Sequence, residues 1–201
     1  MGEDRNCGLC GAKTCDEFRE YLKSGQKEEK ECPFYSENTR VEIEASNNLD
    51  FHGNTYDFLL KPVNGEVSAR KIIRPFRTDL IDKLEIKKGD IVVARPMGAG
   101  CPVTHVLEVY EVDELAGLLY TWVVGPQYSR NKDVKDIKAY SMVGFEGIAD
   151  DISVYPKVGK TAGFMPNFCM LRLTHYGLVN KVLNTKEGLL VRIEDIHIAK
   201  I

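Results

Sequence analysis

The sequence predicts an α+β protein in two parts. A small helical module over residues 1–36 precedes a mainly-β domain over residues 37–201, which is barrel-like or a sandwich. Clustered cysteines and a helix-like apolar stripe occur before residue 36, whereas short runs of strand-forming residues follow residue 40. A length of 201 residues suits one substantial domain with a small module attached.

The helix expected in the first part separates two cysteine-bearing stretches. Thr14 or Asp16 can cap its start, and Gly25 is a typical helix stop. Its one apolar face is formed by residues at helical spacing: Phe18, Tyr21 and Leu22. We therefore expect a short helix that returns the chain towards Cys32.

The strands expected in the second part are short and regularly spaced, which indicates a closed or partly closed barrel or a sandwich. Residues 79–84 are expected to form a short helical turn, and two hairpins are expected, one at Asp113-Glu114 and one at the C-terminus. The predicted strands span residues 41–45, 56–63, 85–95 (broken by a turn at 87–90), 103–112, 115–124, 137–145, 178–183 and 189–193.

Composition excludes several classes of protein. A net charge of −3 provides no large basic surface for nucleic acid. No apolar run approaches the roughly 18–20 residues that span a bilayer, and the polar N-terminus lacks a signal-peptide core. We expect a cytoplasmic protein, whose thiols stay reduced and therefore serve metal binding or catalysis instead of disulfides.

The first four of the six cysteines follow the pattern C-x2-C-x4-C-x16-C: Cys7, Cys10, Cys15 and Cys32. Four thiolates hold a [4Fe–4S] or a [2Fe–2S] cluster, and three of them here come from one tight loop. Zinc is the alternative, although structural zinc sites usually pair two C-x2-C knuckles and only one is present. Gly8 and Gly11 each follow a ligand, so the backbone can fold close to the sulfurs and donate N–H groups near the cluster.

These stretches, Asn6–Phe18 and Glu31–Pro33, resemble the small iron–sulfur domain of the corrinoid iron–sulfur protein and of the iron–sulfur subunit of Rnf-type complexes. The resemblance covers about the first 35 residues. It implies a low-potential [4Fe–4S] cluster that moves single electrons in an anaerobic host, with a ferredoxin, corrinoid or flavin protein as redox partner. It also implies which residues are the cluster ligands: Cys7, Cys10, Cys15 and Cys32.

A second group of chemistry-bearing residues lies in the β-rich part, where the resemblance does not reach. Cys101 and His105 follow a glycine-rich stretch, and Cys169 and His175 form a similar pair. Even separations place both members of a pair on one face of a strand. If the strands are neighbours, a metal site or a thiolate–imidazole pair becomes available. The alternative is two buried free thiols and two hydrogen-bonded histidines.

Three functions follow from these residues. The favoured one is a [4Fe–4S] protein that transfers single electrons to a partner or activates it, without being a stand-alone enzyme. The second is a cluster-dependent enzyme that holds its substrate between module and β domain and uses Cys101 or His105. The third is a structural or regulatory protein whose metal stabilises a module too small for a core of its own.

Overall fold

The computed structural model describes residues 10–32, 48–98 and 101–198. The chain divides into two compact units, one of residues 1–47 with 125–131 and one of residues 48–124 with 132–201. The predicted domain boundary after residue 36 and the predicted strand 41–45 both lie outside the described residues and stay predictions.

In the first unit, one α-helix follows the cysteine loop. Helix α1 spans Cys15–Lys23, and its N-cap Thr14 accepts a hydrogen bond at Oγ1 from the backbone N–H of Glu17, 3.1 Å away. Gly25 has a φ of 70°, a left-handed conformation typical of the end of a helix. The predicted cap at Thr14 and stop at Gly25 are confirmed.

The predicted apolar face of α1 is also confirmed. Phe18 is buried in a small cluster with Ala12 and Cys32. Three partly buried residues pack against this cluster: Cys10, Tyr21 and Leu22. Short 3₁₀ turns complete the described part of the unit, at Glu29–Glu31 and Pro126–Ser129. The stripe therefore faces a cysteine-containing core, as its spacing predicts.

The second unit is built on one nine-stranded sheet. A short helix, α2, spans Leu80–Lys83, where the helical turn was predicted. The strands are β1 Phe58–Lys61, β2 Arg70–Pro75, β3 Ile91–Met97, β4 His105–Asp113, β5 Leu118–Val124, β6 Val134–Asp150, β7 Thr161–Pro166, β8 His175–Thr185 and β9 Gly188–Ile198.

The sheet closes on itself twice through the 17-residue strand β6. One ring runs β6-β1-β7-β8-β9, and the other runs β6-β2-β5-β4-β3. Neighbouring strands are antiparallel except for the parallel pairs β1–β7 and β3–β6. Each ring therefore has its own interior, and β6 belongs to both.

Two apolar cores fill these interiors. Phe58, Phe164 and Val191 belong to the first core, and Val92, Leu107 and Leu119 belong to the second. Met142 of β6 packs against both cores. Buried and less buried side chains alternate along β1 and most of β5, whereas β7 is buried at five consecutive residues.

The predicted α+β class is wrong, because the described residues are mostly β. Helices α1 and α2 have nine and four residues, whereas β6 alone has 17. Two strands missed by the sequence, β2 and β7, and the greater length of β6 account for the difference. The first unit contributes too little helix to balance the nine-stranded sheet.

None of the helices in the described parts of the chain has the length and apolar character needed to cross a bilayer. The predicted cytoplasmic location stays a prediction.

Candidate functional sites

The first site is the thiol-rich part of the first unit. Cys10 and Cys15 are half-buried and Cys32 is buried, 8% exposed, against Phe18. Cys15 is the first residue of α1, directly after the N-cap Thr14. Cys7, the fourth predicted ligand, lies outside the described residues.

Gly11 lies between Cys10 and the helix and requires a left-handed backbone, with a φ of 80°. A side chain there would approach Lys27 Nζ, which pairs with Glu31 at 2.9 Å. The conformation agrees with the predicted close wrapping of the loop. Gly8, the other predicted glycine, lies outside the described residues.

The donor set of this unit fits an iron–sulfur cluster by its chemistry, since thiols are the usual ligands of such clusters. Among the residues that the structure describes, no group of three His, Cys, Asp or Glu side chains is placed to hold a metal ion. The fit therefore rests on the type of donor, and the ligand roles of the four cysteines stay a prediction.

The second site is a cavity whose described walls belong entirely to the second unit. Both predicted pairs, Cys101 with His105 and Cys169 with His175, lie on its wall. His105 begins β4 and His175 begins β8, one strand from each ring. The sequence predicted two separate pairs, and the structure places all four residues around one cavity.

Sequence reasoning missed two members of this site, Lys71 and Tyr140. Lys71 of β2 lies opposite Phe145 of β6 and is 2% exposed. Its Nζ is 2.6 Å from Tyr140 Oη and 3.0 Å from His105 Nδ1. The one available signal for Lys71 was its position two residues before Ile73, which places both side chains on the same face of a strand.

These groups form a continuous hydrogen-bonded chain. Tyr140 Oη lies 2.6 Å from His105 Nδ1, and His105 Nε2 lies 3.9 Å from Cys101 Sγ. A histidine protonated at Nε2 satisfies the arrangement: Lys71 donates to the Tyr140 hydroxyl, and that hydroxyl donates to Nδ1. His175 is held separately, since its Nδ1 donates to the carbonyl of Leu173 at 2.9 Å.

Burial shifts the pKa values of these groups in favour of their uncharged forms. Desolvation lowers the pKa of Lys71 to about 7, although the neighbouring thiols partly oppose the shift. Burial, with the nearby Lys71, lowers the pKa of His105 to about 3, and burial lowers that of His175 to about 4. Burial also raises the pKa of Tyr140 and of the Cys169 thiol. At neutral pH the two histidines, Tyr140 and Cys169 are therefore uncharged, and Lys71 exists as both free and protonated amine.

The metal alternative for the second site finds no support in residues 48–98 and 101–198. No three potential ligands there are placed around a common point. Lys71 Nζ also lies within hydrogen-bonding distance of the His105 nitrogen, so a protonated amine would oppose a cation. The geometry instead favours proton transfer or attack on a small molecule in the cavity.

Comparison with known proteins assigns the first site to a class. Residues 4–34 match a family model described as "Putative Fe-S cluster". This range contains the four predicted ligands: Cys7, Cys10, Cys15 and Cys32. The chain is therefore an iron–sulfur cluster-binding protein, and its N-terminal segment is the iron–sulfur part.

The chain is also similar to a full-length relative, Uncharacterized protein MJ0119 of Methanocaldococcus jannaschii. The two are 34% identical over 212 aligned positions, which cover 96% of this chain and 88% of the relative. The chain belongs to the same family as that protein. At this coverage the alignment includes residues of both units. No solved structure matches the chain.

Proposed function

We propose that this protein binds a [4Fe–4S] cluster through four thiolates and transfers single electrons to a partner protein in anaerobic metabolism. The proposed ligands are the cysteines of the N-terminal pattern: Cys7, Cys10, Cys15 and Cys32. The observation that carries the proposal is the iron–sulfur family match over residues 4–34. When bound, such a cluster supplies a centre that gains or loses one electron.

The number of cysteine ligands supports a role in electron transfer and not one in which a substrate binds to a cluster iron. Four cysteines can ligate every iron of a [4Fe–4S] cluster, which leaves no open position for a substrate. The spacing also differs from the paired knuckles of a structural zinc site. A fully ligated cluster works by accepting and donating electrons through its surroundings.

Residues of the first unit support the binding of such a cluster. The start of α1 at Cys15 places helix N–H groups beside a predicted thiolate ligand. Phe18 packs with Cys32 and Cys10 in apolar surroundings. Burial and N–H donors near the sulfurs are the two means by which a protein sets a cluster's potential.

The partner we propose is a redox protein such as a ferredoxin, a corrinoid protein or a flavin protein. Charged side chains on α1 offer it a polar docking surface: Asp16 is 83% exposed and pairs with Arg19. Charge complementarity at such surfaces governs how fast two redox proteins meet.

Ligand variants test the assignment. Cys10→Ser and Cys15→Ser should each lower bound iron and sulfide and abolish the visible absorbance that dithionite bleaches. Cys169→Ser is the matched control, because this thiol lies in the second unit and should leave the cluster intact. Loss of the cluster in Cys169→Ser but not in Cys10→Ser would contradict the ligand set.

Electron transfer itself needs a separate test. Protein reduced with dithionite and freed of excess reductant should return one electron to an added one-electron acceptor such as oxidised benzyl viologen. A cluster that is present but does not exchange electrons would refute the redox role and favour a structural or regulatory one.

A cluster-dependent enzyme remains the second candidate, because the cavity of the second unit contains groups suited to chemistry. Lys71, His105 and Cys101 are connected by hydrogen-bonding contacts on one wall. If this candidate is right, Cys101→Ser should abolish turnover of a substrate and leave the cluster spectrum unchanged. Unchanged turnover in that variant would remove Cys101 from the chemistry.

A further inference from the structure

Lys71 is an unusual residue for the interior of a sheet. Lysine is almost never fully buried unless a carboxylate pairs with it. Among the described residues, its hydrogen-bond partners are the Tyr140 hydroxyl and His105 Nδ1, both uncharged. None of the described wall residues of the cavity is Asp or Glu. The amine thus lies in apolar surroundings without a counter-charge.

The position of the amine relative to the cavity separates it from a purely structural lysine. Lys71 lines the cavity together with Cys101, Cys169 and His175. Met170, also on the wall, is 63% exposed, so the cavity lies next to the molecular surface. The cavity is therefore the path by which a small molecule would reach the side chain.

We propose that Lys71 is a nucleophile that forms an imine with a small, uncharged aldehyde or ketone bound in this cavity. This activity goes beyond electron transfer and does not depend on the cluster. The proposal rests on the buried amine, its two neutral partners and the cavity beside it.

The chemistry balances with the groups present. The lone pair of Lys71 Nζ attacks the carbonyl carbon, and the carbonyl π electrons move to oxygen, which takes up a proton to give a carbinolamine. The second step forms the C=N bond as the carbinolamine oxygen leaves as water. The two amine protons thus depart with the carbonyl oxygen, so no oxidant or reductant is needed.

Tyr140 and His105 are suited to hold the reacting amine in place. The hydroxyl of Tyr140 contacts the attacking nitrogen, and His105 Nδ1 contacts that hydroxyl at 2.6 Å. The lowered pKa of His105 and the raised pKa of Tyr140 keep both groups neutral, so they act through hydrogen bonds. The two residues therefore position the amine beside the cavity.

The cavity limits the ligand in size and charge. The cavity has a volume of about 30 Å³. Since roughly 10–15 Å³ suffices for one water, the space suits a ligand of about two to three non-hydrogen atoms. Apolar wall residues such as Val103 and Phe168, and the lack of a second described cationic side chain on the wall, disfavour a carboxylate or phosphate.

The ionisation of Lys71 depends on every titratable group that faces it. The described ones are Tyr140 from β6, His105 from β4, His175 from β8 and the thiols of Cys101 and Cys169. Both histidines have a lowered pKa and the tyrosine a raised one, so all three are neutral near pH 7. Free amine is therefore available at neutral pH, as nucleophilic attack requires.

Reductive trapping tests the proposal on the full, anaerobically purified wild-type chain. The probe is acetaldehyde with cyanoborohydride, and peptide mass mapping measures the rate of ethylation at each lysine. Exposed Lys88 is the internal control. At pH 7 we expect Lys71 to react at least about tenfold faster than Lys88, because an ordinary lysine is almost entirely protonated at this pH.

The pH profile provides a second readout. Labelling of Lys71 should reach half its maximum near pH 7, whereas labelling of an ordinary lysine still rises above about pH 9. Pyridoxal phosphate, which is larger and charged, should label Lys88 and spare Lys71. Labelling of Lys71 no faster than Lys88 at pH 7 would overturn the proposal, and labelling by pyridoxal phosphate would overturn the ligand class.

Discussion

At the scale of single residues, Lys71 shows how burial changes the chemistry of an ordinary side chain. Strand pairing of β2 with β6 fixes its backbone, and the Tyr140 and His105 contacts fix its Nζ. Desolvation then penalises the charged amine more than the neighbouring groups compensate. The result is a lysine that titrates near neutrality.

The lowered pKa of Lys71 should make the free energy of unfolding depend on pH. The pKa of Lys71 is about 7 in the folded chain against the usual 10.5, so between these values the unfolded chain binds one more proton. The free energy of unfolding should therefore rise with pH across this window, by about 1.4 kcal/mol per pH unit from this one group. Anaerobic urea unfolding at several pH values between about 7 and 10 measures it.

The matched variants are Lys71→Met and Lys88→Met. The first should lose this contribution to the pH slope, because it has no amine to titrate. The second should keep the wild-type slope, since Lys88 is exposed. Equal slopes in wild type and Lys71→Met would show that Lys71 has an ordinary pKa.

At the scale of elements, helix α1 depends on its N-cap. Thr14→Ala removes the oxygen that accepts from the Glu17 amide and should destabilise the helix by about 1 kcal/mol. Hydrogen exchange of the amides in Cys15–Lys23 should become about fivefold faster. Thr14→Ser, which keeps the hydroxyl, should exchange like wild type, and equal exchange in both variants would refute the capping role.

Strand β6 depends on a close approach of backbones at Gly147. A Cβ at this position would lie 2.3 Å from the carbonyl oxygen of Lys61 in β1. Gly147→Ala should therefore cost more than about 2 kcal/mol of unfolding free energy, because backbone has to shift. Gly125→Ala is the control: its Cβ meets nothing within 4 Å, and its φ is −71°.

Urea unfolding of both glycine variants measures the difference, which should be confined to Gly147→Ala. A Gly147→Ala protein as stable as wild type would contradict the close pairing of β1 with β6.

The elements that the sequence predicted are those with a local signal. The C-terminal hairpin was predicted from apolar runs around Thr185–Gly188, and β8 and β9 meet there. Strand β2 was missed because Arg70, Lys71 and Arg74 make it look solvated. Its Arg70 is instead balanced by Glu66 and Glu146, and the latter lies 76 residues away. A single sequence does not reveal such distant partners.

The same difference between local and distant signals explains which residues of the candidate sites could be predicted. The N-terminal cysteine pattern is local, so spacing alone led to the iron–sulfur class that the family match shows. Cys101 and His105 were found as a pair because they are close in sequence. Lys71 and Tyr140 join them only through the register of β2 on β6, which no local pattern encodes.

At the scale of the whole molecule, the protein joins a small thiol-rich unit to a sheet of two closed rings. The predicted α+β class was wrong because the sheet dominates the described residues. Its longest strand, β6, belongs to both rings and pairs with four other strands. Our proposals divide along the same line: the first unit holds the cluster, and the second contains a cavity with a reactive amine. The family relative aligns with residues of both units.

Anaerobic iron and sulfide analysis with low-temperature EPR of the dithionite-reduced protein tests the central claim most directly. We expect about four irons and four sulfides per chain and the signal of a reduced [4Fe–4S] cluster, both lost in Cys15→Ser. A colourless protein that contains one zinc, or a cluster that survives in Cys15→Ser, would contradict the account.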